Sequence, residues 1–527
     1  LALRLSAHEG AFVFKQRQVQ MKSHLYIVSL NQGASWTMAA HDCACPVAYG
    51  GQSPTIAVVF SPPSSPQNEA CDTESANNTG GGSNDCACPS APSALLNRPN
   101  GAWLQTVPAL DTALPGGYHT LHCPETGGTA VLNKAALQFW QAFRTPQTPE
   151  QAAAQLALSQ GEAHNACMQL WQAGLLRPAE ATVCYASERG LLAWLHLTDD
   201  CTLACTYCYA PRHARQMDER TGLTAIERLF NTAQRYAYPE LWLKYAGGEP
   251  LLRFDLLRTM QTHARQLAQA HGIRLHSTVL TNGTALTPAM AASLRTLDVG
   301  VGLSLDGLDE AQEAQRPLRS GASSIRAALR ALEIARAEGL RPHLNITVTA
   351  KSAPGLANLL RFALEQGLTF HLNFYRPIAE PHPELDLNQH PDEVLDGLRT
   401  ALAVIEQNLP PWSLLNGLLD LANFTAPHAR PCGSGHNYLV IGPQGQISRC
   451  QMHMQETVSN ISAADPLAEL RSLSSPAALR PECAACPWRY ACAGGCPHLA
   501  GAHCTLYKAL FPELLRLEGL RLLQYSQ

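Results

Sequence analysis

The sequence has no excess of charge of either sign and no long apolar run. Across 527 residues, 38 Lys and Arg stand against 42 Asp and Glu, and charged residues make up only 15%. A net charge of −4 offers no basic surface to nucleic acid and no attraction to an anionic membrane. No stretch approaches the roughly 18 consecutive apolar residues of a membrane-spanning helix. Residues 1–29 lack the basic-then-apolar pattern of a secretory signal. A cytoplasmic protein is therefore expected. The chain opens on Leu1 rather than Met, as after a truncation, and Met21 offers a beginning. What the sequence has in quantity is cysteine, 18 in all. In a large chain without an export signal, that number points to metal ligation or catalysis rather than a disulfide framework.

The length predicts more than one domain. Residues 1–100 form an extension that ends in a linker rich in Ser, Pro, Asn and Gly, including Gly80-Gly81-Gly82-Ser83. Within it Asp42-Cys43-Ala44-Cys45-Pro46 is echoed by Asp85-Cys86-Ala87-Cys88-Pro89, with Cys71 between. Residues 101–180 offer two strand-like runs, Tyr118–Cys123 and Thr129–Leu132, and then helical patterns such as Leu137, Phe139, Trp140 and Phe143. This order predicts a winged-helix-like module. Three basic residues (Lys134, Arg144, Arg177) against five acidic ones exclude a DNA reader, which needs a basic stripe. Cys123, Cys167 and Cys184 stand alone and read as small buried hydrophobes.

From 188 to 400, six apolar runs alternate with helical stretches: Leu191–Leu197, Leu241–Ala246, Leu275–Thr281, Val299–Leu305, His343–Thr349 and Phe370–Tyr375. Six βα units in series predict an α/β fold with a parallel sheet, a partial (β/α)6 TIM-like barrel. Chemistry in such sheets gathers at the C-terminal ends of the strands. Cys201-Thr-Leu-Ala-Cys205-Thr-Tyr-Cys208 begins just past the first one. Three thiolates on one short loop suit iron–sulfur or zinc ligation. Three rather than four would leave one iron of a [4Fe–4S] cluster without a protein ligand.

At this point the sequence resembles the radical S-adenosylmethionine (SAM) enzymes. Ala246-Gly247-Gly248-Glu249-Pro250 follows the second strand, Thr281-Asn282-Gly283 ends the third, and Ser304-Leu305-Asp306-Gly307 ends the fourth. The resemblance implies that Cys201, Cys205 and Cys208 hold a [4Fe–4S] cluster and that its open iron chelates SAM. It further implies that Tyr209, Gly247, Gly248, Glu249, Asn282, Ser304 and Asp306 contact SAM, Glu249 at the methionine amino group and Asp306 near the ribose. Reductive cleavage of SAM then gives a 5′-deoxyadenosyl radical that takes a hydrogen atom from the substrate. Where the family usually continues with His-Asp and then Arg, this chain has Gln312, Glu313 and Arg316.

Between 425 and 515 lie Cys432, Gly445, Cys450, Cys483, Cys486, Cys492, Cys496 and Cys504. Cys-x2-Cys is also a common zinc half-site, but seven cysteines do not fill two zinc sites evenly. The block resembles the SPASM domain, a module with two auxiliary [4Fe–4S] clusters. That resemblance assigns Cys483, Cys486, Cys492 and Cys504 to an outer cluster and Cys432, Cys450 and Cys496 to an inner one. The inner set then has an open iron or takes His428 or His436. Residues 516–527 read as a tail.

Residues 101–180 are similar to the peptide clamp of peptide-maturation systems, which resembles the small pyrroloquinoline-quinone chaperone. Its mode would be addition of a leader-peptide strand to the sheet edge. Together these resemblances imply a radical SAM maturase of a ribosomally made peptide, forming a thioether or other cross-link. It would be served by a low-potential donor of ferredoxin or flavodoxin type. The rivals are oxidation of one side chain in a protein, as in sulfatase maturation, and a non-catalytic zinc-rich scaffold. The N-terminal cysteines fit a metal site, unstructured thiols, or a substrate peptide fused to its own maturase, with Met21–Leu30 as a docking strand.

Overall fold

The computed structural model describes residues 58–61, 103–179, 190–210, 213–377, 382–473, 480–499 and 501–526. Met21–Leu30 and Cys43, Cys45, Cys71, Cys86, Cys88 and Cys184 lie outside them. Strands β1 (Val58–Ser61), β2 (Leu104–Thr106), β3 (Leu110–Ala113), β4 (His119–Cys123), β5 (Gly128–Leu132) and β6 (Leu176–Pro178) build the N-terminal module. Four of them form an antiparallel sheet in the order β1-β5-β4-β3, while β2 pairs with β6. The β4–β5 turn needs Gly127, at φ +72°, and a Cβ there would lie 2.7 Å from the Thr425 carbonyl. Three helices follow, Lys134–Ala142, Pro149–Leu156 and Gln160–Gln172. Asn133, Thr148 and Ser159 cap them, the last two with capping boxes to Gln151 and Glu162. Strand β1 was not anticipated. It pairs antiparallel with β5, Val58 opposite Leu132 and Ser61 opposite Thr129, and Val58 is fully buried.

The expected α/β alternation forms the centre of the molecule. Strands β7 (Gly190–His196), β8 (Glu240–Ala246), β9 (Arg274–Thr281), β10 (Val299–Ser304), β11 (His343–Val348) and β12 (Thr369–Phe374) lie side by side and parallel. Amphipathic helices such as Glu219–Arg235 and Phe254–His271 cover the outside. One apolar cluster, including Leu195, Leu229, Leu243, Met260 and Val279, fills the space between helices and strands.

The sheet continues beyond the six strands. β13 (Tyr438–Ile441) pairs parallel with β7, followed by β14 (Gln446–Ser448) and β15 (Ser459–Asn460), giving nine strands in the order β12-β11-β10-β9-β8-β7-β13-β14-β15. Gly445 makes the β13–β14 turn at φ +78°, which explains its place between Cys432 and Cys450. The expected tail from 516 is a correction: those residues continue one helix, Cys504–Tyr525, as far as Tyr525. The apolar repeat runs unbroken through the boundary and finds two partners. Leu522 packs with Leu114 and Val131 of the N-terminal module, while Glu518 accepts from the Ser413 hydroxyl and the Leu414 amide, both at 2.9 Å. Gly519 sits against Thr120 and Leu114. Gly519→Val has no room there and is expected to cost about 1–3 kcal/mol, read as a lowered Tm. No helix of the described residues is long and apolar enough to cross a membrane.

Candidate active site

The three-cysteine loop leaves the C-terminal end of β7 and is tied down by backbone on both sides. Ala204 N donates to Pro317 O and Thr206 N to Gln315 O, both at 2.9 Å, while Gly248 N reaches Thr198 O at 2.7 Å. Such anchoring fixes three thiols that would otherwise sit on a free loop. Cys201 Sγ accepts from Leu203 N at 3.4 Å and from Asn282 Nδ2 at 3.6 Å. Burial pushes the Cys205 thiol up to about 12, and Cys208 and Cys201 act on it in the same direction. The Arg316 charge opposes that shift, and a bound iron would favour the thiolates further. The donor set therefore fits a [4Fe–4S] cluster bound through Cys201, Cys205 and Cys208.

These cysteines border a cavity of about 1000 Å³ that runs into the barrel. Tyr209, Gly247, Gly248, Asn282 and Ser304 line it too. Two of the expected SAM contacts do not. Glu249 is fully buried, and its carboxylate accepts from the Leu251 amide (3.0 Å), the Thr281 hydroxyl (2.7 Å) and the Asn282 amide (2.9 Å). It staples the end of β9 to the loop after β8 and so aims Asn282 at the cysteines. Burial raises its pKa while those three hydrogen bonds lower it. Asp306 is likewise fully buried. It binds Arg316 (Nε to Oδ2, 2.7 Å), accepts from the Thr347 amide at 2.8 Å, and takes the Tyr207 hydroxyl. Arg316 and Tyr207, rather than Asp306, face the cavity. The two glycines also lie close against backbone. A Cβ on Gly247 would lie 2.6 Å from Thr198 O, and one on Gly248 would strike the Asp200 carbonyl. They let the loop after β8 lie flat on the chain's own 198–200 segment. Gly248→Ala is expected to displace the cysteine loop and lower cluster content by more than half, read by iron analysis.

Gln312 and Glu313, where the family pattern has His-Asp, have structural work. Gln312 Oε1 accepts from the Asp306 amide at 2.8 Å, and Glu313 accepts from the Ser324 amide at 2.8 Å, capping the helix Ser324–Ala337. Sequence reasoning missed a second buried pair at the end of β12. Arg376 binds Asp420 at 2.6 Å, and Asp420 accepts from the Phe374 amide at 2.9 Å and from the Tyr507 hydroxyl. Asp420 and its partners come from three distant segments, 374–376, 420 and 507, so no local signal marks the pair.

The Radical SAM superfamily model matches residues 195–351, from the end of β7 past the end of β11. Residues 195–351 are a radical SAM domain, and the chain is a radical SAM enzyme. A serine-type anaerobic sulfatase-maturating enzyme of Klebsiella aerogenes is 26% identical over 347 residues, 60% of this chain and 82% of that one. The mycofactocin maturase of Mycolicibacterium smegmatis is 28% identical over 344 residues, 59% of this chain and 79% of its own length. An uncharacterized protein of Methanocaldococcus jannaschii is 27% identical over 190 residues, 36% of this chain and 64% of that protein, so the chain spans less than two thirds of it. The solved structure of native anSMEcpe with bound AdoMet has a TM-score of 0.52 at 19% identity, covering 62% of this chain and 99% of that one. That likeness is one of fold.

In this radical SAM enzyme the C-terminal cysteines fall into two neighbourhoods. Cys432, Cys450 and Cys496 act on one another electrostatically. So do Cys483, Cys486, Cys492 and Cys504. Among the described residues no three Cys, His, Asp or Glu converge closely enough to hold one metal ion between them. His428 Nδ1 faces the Ala426 carbonyl at 2.9 Å, and the charges acting on His436 are Arg430 and Arg471. Tyr209 feels both the cysteine loop and the first of these neighbourhoods: its phenol is pushed up by burial and then by Cys208 and Cys450.

Proposed function

We propose that this radical SAM enzyme is a peptide maturase whose substrate enters the barrel cavity and is cross-linked there. When bound, the cluster and SAM supply the radical that removes hydrogen from a substrate C–H bond. The observation that carries the reading is the lining of the cavity. The cysteine loop borders it on one side, and Gln451 and Met452, next to Cys450, border it on another. A peptide residue inside would face both the SAM-cluster loop and the inner auxiliary site. Tyr209, Gly247, Gly248, Asn282 and Ser304 would hold SAM from the strand ends. Cys483, Cys486, Cys492 and Cys504 would complete an outer auxiliary cluster. Cys432, Cys450 and Cys496, one thiolate short of four, would leave room for a thiol of the substrate. Thioether formation removes one hydrogen from carbon and one from sulfur, so each bond lowers the peptide mass by two hydrogens.

In the same reading residues 101–180 are the peptide clamp, a low-potential ferredoxin or flavodoxin is the electron donor, and the enzyme works in the cytoplasm. Strand β1 supports the clamp, because the edge of β5 accepts a strand from a segment remote in sequence. It also favours a second reading, in which the peptide is this chain's own. Cys71, Cys86 and Cys88 follow β1 in the sequence. The test is anaerobic reconstitution with iron and sulfide, then dithionite and SAM. 5′-Deoxyadenosine is expected by chromatography; its absence would sink the enzyme reading. Loss of paired hydrogens from proteolytic fragments holding Cys71 to Cys88 separates the chain's own peptide from one supplied in trans.

A further inference from the structure

The deeper part of the cavity has a polarity that SAM chemistry does not account for. Trp242, Lys244 and Ala246 alternate along β8 on the face that looks into the barrel, and His343 and His371 come from β11 and β12. Lys244 lies three residues before Gly247, about 10 Å of strand below the glycines. Among the described residues no Asp or Glu lines this cavity. Of its cations, Arg316 is matched by Asp306 and Arg376 by Asp420. Lys244 forms no ion pair with any described residue, although its side chain is open to the cavity. An amine on a cavity wall without a counter-charge is costly to keep ionised, and the desolvation there lowers the pKa of Lys244. The neighbouring imidazoles add no counter-charge. Burial brings His343 down to about 4, with the charges of His371 and Lys244 adding to the effect. His371 is lowered by burial first, then by Lys244 and Arg376, against its Gly417 carbonyl and Asp420.

We propose that Lys244 anchors a carboxylate of the substrate, from an acidic side chain or a peptide C-terminus, at a subsite below the SAM-binding strand ends. This rests on the reading that the substrate enters the barrel cavity. The anchor would hold the residue being modified at a fixed height beneath the radical, with Trp242, stacked on His276 at 3.9 Å between ring centroids, flooring the subsite. Specificity then follows from charge: a neutral analogue loses the ion pair and leaves Lys244 unmatched.

The chain has six lysines, Lys15, Lys22, Lys134, Lys244, Lys351 and Lys508. Reductive ¹³C-methylation of the oxidised holoenzyme therefore gives few enough NMR signals to assign, with Lys244→Met identifying its own by disappearance. Titration with N-acetylglutamate amide, N-acetylglycine and N-acetylglutamine amide is expected to move the Lys244 signal saturably for the two acids only. Bound acid should raise the amine's pKa by about 1–3 units, as a carboxylate at contact distance does. The tighter of the two acids tells a side-chain from a terminal carboxylate. The proposal is overturned if neither acid moves the signal, if the neutral amide moves it equally, or if SAM alone saturates it so that the acids add nothing. The same preparation is assayed for 5′-deoxyadenosine, so that failure of SAM cleavage, which sinks the parent reading, is told apart from failure of the carboxylate site.

Discussion

Cys205→Ser is expected to drop 5′-deoxyadenosine formation below detection and to remove about four irons per chain, leaving the iron bound by the C-terminal cysteines in place. The backbone of the loop should survive the change. Its anchors are the Ala204 and Thr206 amides on the Pro317 and Gln315 carbonyls, and none of them uses the Cys205 side chain. The chemistry should not survive, because a serine hydroxyl at this buried position stays protonated and is a poor ligand for iron. Iron analysis, the EPR spectrum of the reduced protein and product chromatography separate these effects. Retention of all iron with loss of activity would mean that Cys205 is no ligand. Cys492→Ser is the matching experiment for the outer set, with iron lost and SAM cleavage retained in part.

Asp306→Asn should produce the largest loss of stability. It leaves the Arg316 guanidinium, only 9% exposed, without its counter-charge and weakens the acceptor for Tyr207 and the Thr347 amide. Breaking one side of a buried pair costs about 3–5 kcal/mol, and the melting temperature should fall by roughly 10 °C. Arg316 and Tyr207 both face the cavity, so SAM affinity should fall as well. Arg316→Met together with Asp306→Asn removes the unpaired charge and should recover part of the stability without recovering the affinity. Equal recovery of both would reduce the pair to a structural brace.

The six parallel strands were legible because each is an apolar run bounded by turn signals, and the periodicity of the intervening helices is strong. The cysteine loop was legible by spacing and by its place at the first strand's end. Glu249 and Asp306 stand at the strand ends where their motifs put them, and their carboxylates point into the protein rather than into the cavity. A short motif fixes the position of an acid, whereas its direction depends on partners such as Thr281, Asn282 and Arg316 that only the folded strands bring near. Lys244 was invisible for a related reason. One polar residue in Leu241–Ala246 reads as the solvent face of a strand, and only the curvature of the sheet turns that face into a lumen. β1 escaped notice because its pairing partner, β5, lies about seventy residues on. The helix Cys504–Tyr525 was cut short at 515 because a domain resemblance, not its own pattern, set the boundary.

The β7–β13 pairing has a consequence for any dissection of this enzyme. Val440 opposite Trp194 and Leu439 opposite Ala193 make the junction between radical SAM domain and cysteine-rich domain a ladder of backbone hydrogen bonds. Shortening the chain before Tyr438 would strip β7 of one neighbour from Leu192 to Leu195 and bare an apolar flank that invites sticking to other molecules. A soluble excised barrel is therefore not to be expected. The cysteine loop after β7 and the cysteines that flank β13 are thus spaced by a hydrogen-bonded framework rather than by a hinge.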